Sequence, residues 1–135
     1  MKRIFKIIFI ITLFILVSCG HKSRLMYEPS TIYAGTARNV STNNIRGAIL
    51  SSLNLYDWLV ESDYQGVIIA KQTRKNHVAR VKISYTKNSV SINYLDSQNL
   101  NYRRDKHGQA RIHATYNRWL TNLEKAIANN VRSLG

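Results

Sequence analysis

The chain has 135 residues, with 20 Lys and Arg against 7 Asp and Glu, a net charge of +13 and one cysteine. That length holds a single domain, and one cysteine excludes an internal disulfide framework. Seven carboxylates, none paired where their pKa values would be pushed apart, argue against acid–base catalysis, while the basic surplus points to an anionic partner.

Lys2, Arg3 and Lys6 precede an apolar run from Ile7 to Val17, the order of an export leader. The run is shorter than the roughly 20 apolar residues a transmembrane helix needs. It ends in Leu16-Val17-Ser18-Cys19, which resembles a bacterial lipobox. The resemblance implies that residues 1–18 are a lipoprotein signal peptide and that Cys19 is lipidated as the first mature residue. An ordinary amino-terminal anchor is the alternative. Gly20 rather than Asp follows Cys19. In a Gram-negative host this implies the outer membrane, facing the periplasm. Three of the 20 cations lie in the leader, so 17 remain against 7 acidic residues. Export removes nucleic acid as the natural partner of that charge. Anionic lipid, lipopolysaccharide phosphates or acidic glycan take its place, with solubility as the plainer explanation.

Residues 19–41 read as a lipidated tether, polar at first and turn-like at Pro29-Ser30-Thr31, without a sustained period. Tyr27, Ile32 and Tyr33 are its candidate docking points. A single domain is expected over residues 42–135. Ser41-Thr42-Asn43-Asn44 suits a helix cap. Ile45, Ala48, Ile49, Ser52, Leu53 and Tyr56 then follow at three-and-four spacing. Gly47, inside that helix, suggests close approach to a sheet.

Period-two segments come next. Asp57 to Ser62, Gly66 to Thr73, Val78 to Tyr85 and Ser89 to Tyr94 are predicted strands, separated by short polar turns. Ala79, Val81, Ile83 and Tyr85 alternate with Arg80, Lys82 and Ser84, so one face is expected to pack and one to be wet. Asp96 to Gln109 reads as a polar loop. A last helix is predicted from Ala110 to Leu134, with Ile112, Tyr116, Trp119, Leu123, Ile127, Val131 and Leu134 on one stripe. The expected class is α+β: a two-layer sandwich, an antiparallel meander of three to four strands with N- and C-terminal helices packed on one face.

Val81 to Tyr85, Val90 to Tyr102 and Tyr116-Asn117-Arg118-Trp119-Leu120 resemble a group of small proteobacterial lipoproteins. That group combines a lipobox, a strand ending in Tyr-x-x-Ser-x-Asn-Leu-x-Tyr, and a final helix carrying Tyr-Asn-x-Trp. The resemblance spans roughly residues 45 to 134. The group has no assigned activity, so the resemblance implies fold and location but no catalytic residues.

Two candidate binding features remain. Arg80 and Lys82, with Lys71 on the neighbouring strand, would make a basic sheet face, or simply guard against edge-to-edge aggregation. Asp96, Ser97, Asn99, Tyr102, Tyr116 and Asn117 would line a groove where the sheet meets the last helix, or cap turns and fill the core. His21, His77, His107 and His113 are too scattered for zinc. Ser97, His113 and Asp96 lack the setting of a hydrolase triad. No metal and no cofactor is expected. The reading is a non-enzymatic envelope lipoprotein that binds an anionic component or joins an envelope assembly. A protein-binding accessory subunit, or an enzyme acting on cell wall or lipid, is the alternative.

Overall fold

The computed structural model describes residues 23–35 and 39–135; the leader, Cys19, Gly20 and His21 lie outside them. The described part of the segment read as a tether contributes two strands, β1 (Ser23–Leu25) and β2 (Ile32–Tyr33). Neither is long enough to carry a period of its own. Each becomes a strand only because an exposed edge elsewhere supplies its hydrogen bonds.

Ser41 and Asn44 close a reciprocal cap at the first helix. Ser41 Oγ accepts the Asn44 amide at 3.2 Å, and Asn44 Oδ1 accepts the Ser41 amide at 2.9 Å. Helix α1 (Thr42–Leu55) buries Ile45, Ala48, Ile49, Ser52 and Leu53, the stripe expected from spacing. Tyr56 leaves that stripe and caps the C-terminus, exposed. Gly47 is exposed too, and a Cβ there would meet nothing within 4 Å. It mediates no close approach, contrary to expectation.

Four strands follow as a meander: β3 (Leu59–Tyr64), β4 (Val67–Arg74), β5 (His77–Tyr85) and β6 (Ser89–Gln98). The first hairpin turns on two residues only, Gln65 at φ 46° and Gly66 at φ 80°. Two successive positive φ values match the right-handed twist of the flanking strands. β2 adds to the far edge, with Ile32 opposite Val90, giving the antiparallel order β2-β6-β5-β4-β3. Ile68, Ile83 and Ile92 stand in one row across the inner face.

The last helix starts later than its periodicity suggests. Ala110–His113 form strand β8, flanked by β1 and by β7 (Arg103–Arg104), and helix α2 is Ala114–Arg132. Ile112 and Tyr116 keep their spacing in either conformation, so the apolar stripe could not mark the boundary. The fold is thus α+β with N- and C-terminal helices, but with five strands and a separate three-stranded sheet in place of three to four. Buried faces of both helices and of the five-stranded sheet share one core, which includes Ile49, Ile83, Trp119 and Leu123. Ser52 ties the helices together: it donates to the Ala48 carbonyl at 2.8 Å and accepts from Asn130 Nδ2 at 2.9 Å. Among the described residues no helix is long and apolar enough to cross a membrane.

Candidate functional site

Arg80, Lys82 and Lys71 do share the outward face of the five-stranded sheet, with Lys71 opposite Arg80 and Ile69 opposite Lys82. They do not form a basic array. Arg80 bridges two carboxylates, its Nε 2.7 Å from Glu61 Oε2 and its Nη1 2.8 Å from Asp96 Oδ2. Lys71 Nζ lies 3.3 Å from Glu61 Oε1. Two cations meet two anions, and among the described residues Lys82 stands outside that network. The Arg80 hydrogen bond is the main reason the Glu61 carboxyl is held below the usual carboxylate range.

Two bulges border this arrangement, and the second of them is what turns Asp96 toward it. The β3–β4 register shifts between Val60 and Ser62, and the β5–β6 register shifts opposite the Arg80–Val81 step. In an unbroken strand Asp96 would face the same side as Tyr94, toward the core. The extra residue Leu95 turns Asp96 outward, opposite Arg80.

The polar and aromatic set predicted to line one groove is divided among several places. Asp96 faces out to Arg80, whereas Ser97 pairs with Ala79 and shares a 2.8 Å hydrogen bond with the Tyr94 hydroxyl. Asn99, at φ 56°, donates from Nδ2 to the Asn76 carbonyl at 2.8 Å and so joins two turns. Tyr102 stacks on Tyr94 with centroids 4.5 Å apart, and Tyr94 meets Tyr116 edge-on at 5.7 Å. Burial pushes the Tyr116 hydroxyl well above its ordinary pKa. Asn117 holds the segment after β1: its Oδ1 accepts the Tyr27 amide and its Nδ2 donates to the Leu25 carbonyl, both at 2.8 Å. These contacts belong to turns, ring stacking and a strap, in separate parts of the fold.

Ser97, His113 and Asp96 do not converge either. Asp96 and Ser97 face opposite sides of the sheet, and His113 caps α2 by accepting the Thr115 amide at Nδ1, 3.1 Å away. The His77 and His113 rings contact each other at 5.2 Å, a neighbourhood the sequence spacing did not suggest. No group of three or more metal-ligating side chains occurs among the described residues.

Two features escaped sequence reasoning. A groove of about 650 Å³ runs between the end of α1 and the start of α2, with Trp58, Gln72, Arg74, Arg118 and Trp119 among its walls. Trp58 is buried there and its indole Nε1 has no hydrogen-bond partner among the described residues. The second feature is the three-stranded sheet. Arg24 on β1, Arg103 and Arg104 on β7, and Lys106 in the following turn are all exposed, with no ion pair among the described residues. Asp105 organises that turn. It accepts the His107 and Gln109 amides at 2.9 and 3.0 Å and pairs with Arg111 Nε at 3.0 Å. Burial alone would raise its pKa, but these hydrogen bonds outweigh burial and hold it down.

No family model, no curated protein and no solved structure matches this chain.

Proposed function

We propose that the chain is a cell-envelope lipoprotein, acylated on Cys19 and held at the outer membrane facing the periplasm. In this reading it is a non-enzymatic binding module. Its domain is a two-layer sandwich, both helices on one face of the five-stranded sheet and the other face wet. The observation that carries the reading is the distance between lipobox and fold. Cys19 is followed, only four positions later, by Ser23, the first residue of β1. An acylated Cys19 would therefore keep the domain against the membrane rather than at the end of a long tether. Several acyl chains approach permanent anchoring, where one alone holds only marginally.

The test is the mass of the amino-terminal peptide from protein extracted from native membranes. A peptide beginning at Cys19 and carrying acyl groups is expected, and Cys19→Ala should leave an uncleaved or soluble species. Unmodified Cys19 in membrane-purified protein overturns the reading.

A protein-binding accessory role has its own support. β3 is a free edge whose outer side presents Leu59, 59% exposed, and Tyr64, 71% exposed. An edge strand offers unpaired backbone groups to a partner strand, although its bulge and its acidic residues blunt it. Cross-linking through residues 59–64 in native envelopes tests this, and capture of one specific protein there would favour the accessory role over lipid binding.

A further inference from the structure

The anchoring proposed above has a geometric consequence for the three-stranded sheet. The chain from Cys19 to Ser23 reaches at most about 14 Å when fully extended. Of all the described elements, β1 and its partners are thus kept nearest to the membrane. Four exposed cations with no ion pair among the described residues stand in the same place, Arg24, Arg103, Arg104 and Lys106, while others such as Lys82, Arg74 and Arg118 lie elsewhere on the domain. The one acidic residue in the β7–β8 turn, Asp105, is already engaged by Arg111. Glu28 shares a shallow cavity with Arg104 but forms no ion pair with it.

Pairing register arranges these side chains. Leu25, Arg111 and Arg103 stand in one row on one face, and Arg24 and Arg104 flank Ile112 and Ala110 on the other. β1 and β7 sit on either side of β8, so they are about 10 Å apart. Arg103 stands on one face of this narrow sheet and Arg24 and Arg104 on the other, and all three are exposed. Leu25 is 51% exposed beside them. Guanidinium groups match phosphate oxygens two at a time.

We propose that this small sheet docks on an anionic phospholipid surface. Arg24, Arg103, Arg104 and Lys106 meet lipid phosphates, Leu25 enters the interface, and the domain is held in one orientation on its anchor. The proposal rests on the anchored reading, but its failure is separable from that reading's. An uncleaved leader would enter the domain at the same end, so docking can be measured whichever anchor is present.

The experiment uses full-length protein purified from membranes and reconstituted into two kinds of vesicle. One kind is phosphatidylcholine alone; the other contains about one-third phosphatidylglycerol, where each nearby cation contributes roughly a fivefold factor in affinity. Hydrogen exchange of residues 23–27 and 103–111 is expected to slow at least tenfold on the anionic vesicles, and to recover at about 1 M salt, where the screening length is about 3 Å. Arg24→Glu with Arg103→Glu should abolish the slowing with an unchanged melting temperature. Arg104 is left in place in this variant because its Nη1 donates to the Gly108 carbonyl at 2.8 Å and supports the turn. The control is an equal charge change in the groove, Arg74→Glu with Arg118→Glu, which should retain it. Equal exchange on both vesicle types overturns the proposal, as does equal loss in the control, which would show net charge alone at work. Intact acylation with no docking overturns docking only, and unmodified Cys19 overturns only the lipid anchor.

Discussion

Tyr27 and Asn117, 90 residues apart in the chain, are joined by a 2.8 Å hydrogen bond from the Tyr27 amide to Asn117 Oδ1. Glu124, two turns further along α2, takes the Tyr27 hydroxyl and accepts the Ser30 amide at 3.1 Å. One side of the last helix therefore straps residues 25–30 onto the domain. The strap adds to the edge pairing of β1 with β8 and to the packing of Met26 and Tyr27 against the core.

Asn117→Ala removes two hydrogen bonds and leaves the Tyr27 amide and the Leu25 carbonyl to find water. The expected cost is about 1–3 kcal/mol, since the side chain is partly buried. Hydrogen exchange should quicken at residues 25–30 before any global loss of protection. Unchanged exchange there would mean that the strap is held by Glu124 and the β1 pairing alone.

Arg80→Gln should change the acid limb of the stability curve. Arg80 holds the Glu61 carboxyl below the ordinary value of about 4. A depressed folded pKa contributes stability above the unfolded value, and that contribution is lost as pH falls through the folded one. The wild type should therefore exceed the variant in denaturant midpoint at neutral pH and lose its lead as the pH falls below the ordinary carboxylate range. Parallel curves across that window would show that the bridge adds nothing measurable, as many exposed ion pairs do.

The two tryptophans should differ in what their substitutions cost. Trp119 lies in the core, and Trp119→Ala is expected to cost about 3–5 kcal/mol. Trp58→Phe removes an indole N–H that has no partner, so it forfeits no hydrogen bond. Its cost in a thermal melt should stay within about 1 kcal/mol. A loss as large as that of Trp119→Ala would reveal a partner for Trp58 Nε1, such as a bound water.

Two glycines give changes of opposite sign. Gly47→Ala in an exposed helix interior, with no atom in the way, should stabilise by about 0.5–1 kcal/mol. Gly66→Ala should destabilise by more than that, because φ is +80° and the new Cβ would stand 3.0 Å from the Tyr85 carbonyl oxygen. Thermal melts of both variants check the pair. The same sign for both would contradict the helix or the turn.

Local patterns were legible because they need only neighbours in the chain. The Ser41–Asn44 cap spans three residues, and its reciprocal bonds follow from that spacing. Ala79, Val81, Ile83 and Tyr85 alternate inward and are all buried. The stripe of α2 holds from Tyr116 to Val131. Each follows from a fixed periodicity, 3.6 for a helix and 2 for a strand.

What the sequence determined by itself, then, was the local conformation of the long periodic elements and which of their faces turn inward. Tertiary structure alone decided the rest. Ser23–Leu25 and Ile32–Tyr33 are strands only because β8 and β6 present unpaired edges. Ala110–His113 follow β1 and β7 rather than the helix they precede. Asp96 reaches Arg80 only through a bulge that reverses the parity of its strand. That reversal set Asp96 beside Arg80 on a face expected to be basic. Pairing between distant segments, and a one-residue slip in register, depend on backbone hydrogen bonds that are the same for every residue type. Side-chain alternation records which face of a long strand is buried, but short strands such as Ser23–Leu25 and Ile32–Tyr33 carry too few residues to name the edge they join.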